Sequence, residues 1–193
     1  MKVFKFGGAS VKDAAGVKNL SSIVHQQHGQ LIVVVSAMGK TTNLLETLCN
    51  AYFHQDPKTT AIMKELKNFH LDIVNTLFPL NDTIHKHLEE LFTSLENILA
   101  SESSLCYDYE YDRIICFGEL ISTTIISDYL KMKGIENQFI DIRKFLKTDQ
   151  NYRNANIDLE LSEQLCKDAF DFNTSSVFVT QGFIAGTRTN QTT

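Results

Sequence analysis

The segment Gln30-Leu31-Ile32-Val33-Val34-Val35 constrains the fold of this chain more than any other. Five consecutive apolar residues, most of them β-branched, are typical of a strand buried on both faces of a parallel sheet. Shorter apolar runs predict further strands at Val3-Phe4-Lys5-Phe6, at Gln138-Phe139-Ile140-Asp141 and from Val177 to Phe183.

Helical spacing of apolar residues fills the intervals between these strands. We predict a helix after the capping-box pattern Ser10-Val11-Lys12-Asp13, and a helix-rich segment at about 58–100 that Pro79-Leu80-Asn81-Asp82 divides. An amphipathic helix is predicted from about Asp112 to Lys133, and another from Leu159 to Phe170. Strands that alternate with helices predict an α/β fold, with a mostly parallel sheet sandwiched by helices.

Composition and charge exclude several classes of function. The 193 residues are 43% hydrophobic and carry a net charge of −5, without a basic run, which argues against nucleic-acid binding. No apolar stretch reaches the roughly 20 residues of a membrane span. The four cysteines are widely spaced, which predicts reduced thiols and a cytoplasmic protein. His85 and His87 lie two residues apart on a predicted helix and face different ways, so we predict no metal site there.

Candidate site residues follow the ends of the predicted strands, where α/β sheets bind ligands. The first group is Lys5-Phe6-Gly7-Gly8-Ala9-Ser10. Two adjacent glycines let backbone N–H groups approach a phosphate closely, and the Lys5 ammonium can neutralise phosphoryl charge. The alternative is an ordinary strand-to-helix turn with a solvated lysine.

The second group is the segment from Ser36 to Asn43. Its Gly39-Lys40-Thr41 resembles the end of a P-loop, but Val34 stands where that motif requires its first glycine. We therefore predict a hydroxyl-rich ligand loop rather than a P-loop. The alternative is that Thr41 or Thr42 simply caps the next helix.

The third group is Gly118-Glu119 within the predicted helix from Asp112 to Lys133. Gly118 falls inside the apolar stripe, which predicts the close packing of another backbone there. Glu119 falls at the edge of the stripe, where a carboxylate usually has a partner or a ligand amine. The alternative is a glutamate on an exposed helix flank.

The order of these motifs resembles that of the aspartate kinases, in the amino-acid kinase superfamily. The resemblance covers the whole chain and rests on four segments: Lys-Phe-Gly-Gly-x-Ser-Val from Lys5, Ser-Ala-x-x-x-x-Thr-Asn from Ser36, Gly118-Glu119, and Val-Thr-Gln-Gly-Phe-Ile-Ala-Gly from Val179. It implies the amino-acid kinase (carbamate kinase-like) fold, and phosphoryl transfer from ATP to the β-carboxylate of L-aspartate. The product would be 4-phospho-L-aspartate, in the first step of lysine, threonine and methionine biosynthesis.

The resemblance also implies the roles of individual residues, with Lys5 as the catalytic residue. The residues implied to bind ATP and the transferred phosphate are Lys5, Phe6, Gly7 and Gly8. The residues implied to bind L-aspartate are Ser36, Thr42 and Glu119, the last through the α-ammonium group. Mg²⁺ is implied as the companion of ATP, and a homo-oligomer is implied for the full-length protein.

Two departures from the family pattern stand in the sequence. Ala9 replaces the usual Thr or Ser, and the Gly-Arg-x-Gly-Ser-Asp motif, which supplies an Arg for the substrate carboxylate, is missing. We therefore expect residues 1–193 to be the N-terminal, aspartate-binding part, inactive without the nucleotide lobe, and the polar segment Gly186 to Thr193 to be a loop that closes nothing. The alternatives are a kinase of glutamate, acetylglutamate or carbamate, and a non-catalytic lobe for binding or oligomer assembly.

Overall fold

A parallel sheet forms the centre of the computed structural model, which describes residues 1–79 and 82–193, with the side chain of Asp82 excepted. The strands of this sheet are β1 (Lys2–Phe6), β2 (Leu31–Val35), β3 (Gln138–Ile140) and β5 (Val177–Gln181), in the order β1-β2-β5-β3. A second, two-stranded parallel sheet pairs β4 (Lys147–Thr148) with β6 (Gly186–Thr187). The predicted α/β fold with a mostly parallel sheet is confirmed.

The register of the main sheet brings three strand ends together. Phe6 on β1 pairs with Val35 on β2, which pairs with Gln181 on β5. No residue of β2 is exposed, and its alternate residues Leu31, Val33 and Val35 are fully buried. The loops that follow these three strands therefore leave the sheet side by side at one edge.

Seven α-helices and two short 3₁₀ turns complete the described ranges. The helices are α1 (Ala14–His25), α2 (Thr41–Phe53), α3 (Thr59–Leu77), α4 (Asp82–Ala100), α5 (Tyr107–Ile115), α6 (Phe117–Met132) and α7 (Leu159–Ala169), and the turns are Gly8–Val11 and Ile142–Lys144. The helix-rich segment at about 58–100 corresponds to α3 and α4, but the predicted divider Pro79-Leu80-Asn81-Asp82 lies partly outside the described residues. None of the described helices is long and apolar enough to cross a membrane.

The prediction of one amphipathic helix from Asp112 to Lys133 is wrong. The segment forms two helices, α5 and α6, which meet at Cys116, and α6 is buried on nearly all sides. It packs against β2, β3 and β5 and also against α3 and α4. Small hydroxyl residues on α6 make this possible: Ser122 Oγ donates to Ser36 O at 2.9 Å, and Ser127 Oγ donates to Asn137 Oδ1 at 2.7 Å.

The capping box predicted from Ser10 is wrong, and the alternative that Thr41 or Thr42 caps the next helix does not hold either. The cap of α1 is Asp13, whose carboxylate accepts from Gly16 N at 2.8 Å, because a 3₁₀ turn occupies Gly8–Val11. The first turn of α2 has no side-chain cap, and Thr41 contacts the buried His70 instead.

The polar segment from Gly186 to Thr193 is not the open loop that we expected. Ala185 and Thr193 exchange two backbone hydrogen bonds of 2.8 and 3.1 Å, and Thr187 N donates to Gln191 O at 2.8 Å. Asn190 provides the left-handed backbone of the turn, with φ of 63°. The segment is a short antiparallel hairpin.

His70 joins α2 to α3 in the core and makes stability depend on pH. Its side chain is fully buried, its Nδ1–H donates to Leu66 O at 2.9 Å, and its Nε2 faces the Thr41 hydroxyl at 3.3 Å. Burial lowers the pKa of His70 to about 4. The folded chain therefore resists protonation of a histidine that the unfolded chain protonates near pH 6.5.

We expect the free energy of unfolding to fall as the pH drops from 6.5 to 4, by up to about 3 kcal/mol from this group alone. Urea unfolding across this range, compared between the parent chain and His70→Gln, measures the contribution. The exposed His28→Gln is the control and should keep the parent pH dependence. An unchanged pH dependence in His70→Gln would contradict the assignment.

Candidate active site

A cleft of about 1070 Å³ lies at the sheet edge where β1, β2 and β5 end. It brings together six of the seven site residues predicted from sequence, which are Lys5, Gly7, Gly8, Ser36, Thr42 and Glu119. Residues from distant parts of the chain complete its wall, among them Asp112, Cys116, Thr148, Arg153 and Phe183.

The first loop follows β1 and contains the adjacent glycines Gly7 and Gly8, which differ in their surroundings. A Cβ on Gly8 would lie 2.5 Å from the carbonyl oxygen of Ala37, and Gly39 N donates to Gly8 O at 3.0 Å. A Cβ on Gly7 would meet no described atom within 4 Å. Gly8 therefore allows the first two loops to pack together, whereas the open position at Gly7 leaves room for a ligand.

Gly118 allows the second loop, which follows β2 and contains Ala37, to pack against α6. A Cβ at Gly118 would lie 2.8 Å from the Cβ of Ala37 and 3.2 Å from Leu45 Cδ1. The predicted close approach at Gly118 is therefore present, although the neighbours are side chains rather than a backbone. It allows Ala37 N to donate to Glu119 Oε1 at 3.1 Å.

Glu119 and Ser36 each present a buried polar atom without a partner. Glu119 is 5% exposed, and its second oxygen, Oε2, has no hydrogen-bond partner among the described residues. Ser36 Oγ is equally unpartnered there. Burial raises the pKa of Glu119 to about 7, against the lowering effect of the Ala37 N–H. Buried polar atoms are normally hydrogen-bonded, so these two indicate a ligand that completes them.

Lys5 reaches the same cleft from the end of β1. Its Nζ lies 4.0 Å from the centroid of the Phe183 ring, in a cation–π contact. Phe183 is 77% exposed and has a left-handed backbone with φ of 62°. The ring thus holds the ammonium at the cleft without neutralising its charge. The strand predicted from Val177 to Phe183 ends at Gln181 instead, and only the position of Phe183 after Gly182 signalled a turn.

Thr42 and Phe6 are placed differently from each other. Thr42 lies half-buried on the first turn of α2 and lines the cleft. Phe6 does not line it: its ring packs against the core, 6.5 Å from that of Phe4. The Phe6 carbonyl accepts from Ser36 N at 3.1 Å, so its visible contribution is to join the first two loops.

Arg153 is a site residue that sequence reasoning missed. It lies in the loop between β4 and α7, and its N–H donates to Asp112 Oδ2 on α5 at 2.7 Å. This contact brings the loop to a sheet edge that is far from it in sequence. The loop has no periodic pattern of apolar residues that would predict its position. The only feature that could have indicated Arg153 is a basic residue among polar turn residues.

We expect Gly8→Ala to lower the free energy of unfolding by about 1–3 kcal/mol, because the new methyl group collides with a backbone carbonyl. Gly7→Ala is the matched control. It has open space and an ordinary φ of −74°, so it should leave stability unchanged or raise it by up to about 1 kcal/mol. Urea unfolding measures both, and equal losses would contradict the separate roles.

We expect Glu119→Gln to stabilise the unliganded chain at pH 8 by about 1–3 kcal/mol. The unfolded glutamate ionises near pH 4.5 and the folded one near pH 7, so parent stability falls as the pH rises between these values. The gain should vanish near pH 4.5. Urea unfolding at both pH values tests this, with the exposed Glu89→Gln as the unaffected control. Lower stability of Glu119→Gln at pH 8 would contradict the prediction.

Known proteins of similar sequence match nearly the whole chain. The chain is 28% identical over 199 residues to the bifunctional aspartokinase/homoserine dehydrogenase of Buchnera aphidicola, covering 97% of this chain and 24% of that protein. It is 27% identical over 194 residues to the lysine-sensitive aspartokinase 3 of Escherichia coli, covering 99% of this chain and 42% of that protein. The chain thus spans about a quarter to two fifths of the length of these curated relatives.

The structural likeness extends over nearly the whole chain. Escherichia coli aspartokinase III, solved in complex with aspartate and ADP, matches with a TM-score of 0.88 at 25% identity, over 99% of this chain and 42% of that one. The sequence model of the amino acid kinase family matches residues 1–193. Since that match covers every residue, the chain belongs to the amino acid kinase family.

Proposed function

We propose that the protein containing this chain is an aspartate kinase, which transfers the γ-phosphoryl group of ATP to the β-carboxylate of L-aspartate and forms 4-phospho-L-aspartate. The observation that carries the proposal is the pair of unpartnered buried atoms, Glu119 Oε2 and Ser36 Oγ, in the cleft that Lys5 also lines. The family and the aspartokinase names of the relatives support the same activity.

The amino-acid end of the substrate fits the side of the cleft next to α6. An α-ammonium group would give Glu119 Oε2 its missing donor, and the ligand would give Ser36 Oγ its missing partner. Thr42 offers a further hydroxyl on the same wall. Burial raises the pKa of the Glu119 carboxyl group to about 7. The positive charge of a bound ammonium group lowers that pKa, so the carboxyl group loses its proton on binding.

The phosphoryl end of the reaction fits the first loop. A β-carboxylate is already ionised at neutral pH, so the transfer needs no general base. The reaction then depends on positioning and charge neutralisation, which suit the Lys5 ammonium and the backbone at Gly7 and Gly8. Phe6 would act by packing behind this loop. Ala9 offers no hydroxyl, so the backbone and Lys5 carry the contact.

Mg²⁺ is expected to accompany ATP and to neutralise phosphate charge. Within residues 1–79 and 82–193, no group of three or more His, Cys, Asp or Glu side chains could hold a metal ion. The described residues therefore supply no such cluster, and we assign no step to the ion.

The remaining features of the proposal concern the whole protein. We propose that residues 1–193 are its aspartate-binding part and need a nucleotide-binding part for activity. We also propose a cytoplasmic homo-oligomer that works in lysine, threonine and methionine biosynthesis, without nucleic-acid or membrane partners. The aspartokinase names of the relatives favour this function over a glutamate, acetylglutamate or carbamate kinase and over a non-catalytic lobe.

An ATP- and Mg²⁺-dependent hydroxamate assay on the full-length protein tests the activity. We expect aspartyl hydroxamate from L-aspartate, but little from L-glutamate, N-acetyl-L-glutamate or carbamate. Lys5→Ala should lower kcat by about 10²-fold or more, because it removes a charge that stabilises the transferring phosphoryl group.

Lys2→Ala is the matched control, since Lys2 lies on the same strand but donates to Gln27 Oε1 at 2.9 Å, away from the cleft. It should keep the parent rate. Aspartyl hydroxamate no higher in the parent than in Lys5→Ala would overturn the proposal.

A further inference from the structure

Lys147 is a buried cation that the proposed reaction leaves without a role. The residue is 7% exposed, and none of the ion pairs among the described residues includes it. Its Nζ donates instead to three neutral oxygens, which are Arg143 O at 3.1 Å, Thr187 O at 3.3 Å and Asn190 Oδ1 at 3.3 Å. An ammonium group has three N–H donors, so each donor has a partner although no carboxylate of the described ranges pairs with the charge.

The three oxygens belong to two segments of the chain that Lys147 joins. Thr187 and Asn190 lie in the hairpin that begins at Gly186, whereas Arg143 lies in the second 3₁₀ turn. The two segments pack closely, because a Cβ on Gly186 would collide with the same Arg143 carbonyl. Lys147 therefore fixes the hairpin against a neighbouring part of the fold.

The backbone of Lys147 is itself fixed by the start of α7. Its N–H donates to Ser162 Oγ at 2.9 Å, and its carbonyl accepts from Asp158 N at 2.8 Å. Ser162 is buried, so water does not compete for this contact. The ammonium group thus reaches the hairpin from an anchored backbone, and its hydrogen bonds anchor the hairpin in turn.

The hairpin places the cleft residue Phe183. Ala185 exchanges two backbone hydrogen bonds across the hairpin and lines the cleft. On the other side of Phe183, Gly182 N donates to Val35 O at 2.9 Å. A left-handed backbone such as that of Phe183, with φ of 62°, persists only where the surrounding structure imposes it. The strand end at Gly182 and the hairpin at Ala185 are the two anchors that impose it here.

We propose that Lys147 is a positioning residue for the phosphoryl transfer. It holds the hairpin, and the hairpin holds the left-handed turn at Phe183. The Phe183 ring then keeps the Lys5 ammonium at the cleft, 4.0 Å from the ring centroid. This assignment rests on the proposed function, and it accounts for a buried cation that no ion pair among the described residues stabilises.

The contacts of Lys147 separate the rate of transfer from the binding of L-aspartate. None of its hydrogen bonds among the described residues reaches Ser36, Thr42 or Glu119, which we propose to bind the amino acid. The charge of Lys5, in contrast, acts on the phosphoryl group during its transfer. Loss of the Lys147 ammonium should therefore lower kcat and leave the KM for L-aspartate nearly unchanged.

Steady-state kinetics of the full-length protein test the assignment with two variants. Lys147→Met keeps an unbranched side chain and removes its charge and its donors. Asn190→Gly removes one of the three acceptors from an exposed residue, and glycine tolerates the φ of 63° there, so this variant guards against a loss of folding. The matched control is Lys167→Met, because Lys167 pairs with Glu163 at 2.7 Å on the exposed surface of α7.

We expect Lys147→Met to lower kcat by about tenfold or more and Asn190→Gly to lower it by about threefold, because small displacements of a catalytic group slow the reaction. The KM for L-aspartate should change less than about twofold in both variants, and Lys167→Met should match the parent. In a Phe183→Leu background, Lys147→Met should change kcat less than about twofold, because both substitutions release the same ammonium group.

Three results would overturn the assignment while the parent activity stands: an unchanged kcat, a rise in KM that accounts for the whole loss, or an equal loss of kcat in the Phe183→Leu background. If Lys147→Met does not fold, the kcat and KM of Asn190→Gly decide the question. A parent protein that phosphorylates no L-aspartate would overturn the proposed function, and this assignment with it.

Discussion

The hydrogen bond from Ala37 N to Glu119 Oε1 is the interaction on which the cleft depends. It joins the loop after β2 to the central helix α6, and it exists because Gly118 has no side chain to keep Ala37 away. The bond uses one oxygen of the carboxylate and fixes the rotation of the other. Glu119 Oε2 therefore has no partner among the described residues and remains available to the ammonium group that we propose.

In this arrangement, the features that strengthen the binding of an ammonium ligand lower the stability of the unliganded chain. A carboxylate that is 5% exposed, with one oxygen unpartnered, costs free energy when it ionises, and its raised pKa of about 7 reports that cost. An ammonium ligand removes the cost by supplying a charge and a donor. The burial of Glu119 therefore lowers the stability of the unliganded chain at alkaline pH. The same burial strengthens the preference of the cleft for a cationic group, since water competes poorly in such a site.

Local patterns in the sequence account for the sheet and for most of the cleft, because both depend on neighbours in the chain. The apolar run at 31–35 forms β2, and the polar residues after the strands meet at one edge because the strands are parallel. The burial of α6 was hidden because Ser122 and Ser127 count as polar in any pattern, although their hydroxyls are satisfied in the core. Arg153 was hidden because a contact with Asp112, 41 residues away, places it.

The residues of the first loop differ in what their positions require. Gly8 has a packing reason to be glycine, whether or not phosphate binds, because its Cα lies against the carbonyl of Ala37. Gly7 has no such reason, so its open position is the more informative one about a ligand. Lys5 lies beside these glycines at the end of β1. Among the described residues, its ammonium group lies over the Phe183 ring rather than against a carboxylate. A ring attracts a cation without cancelling its charge, so the full charge of Lys5 remains available to an anion at Gly7.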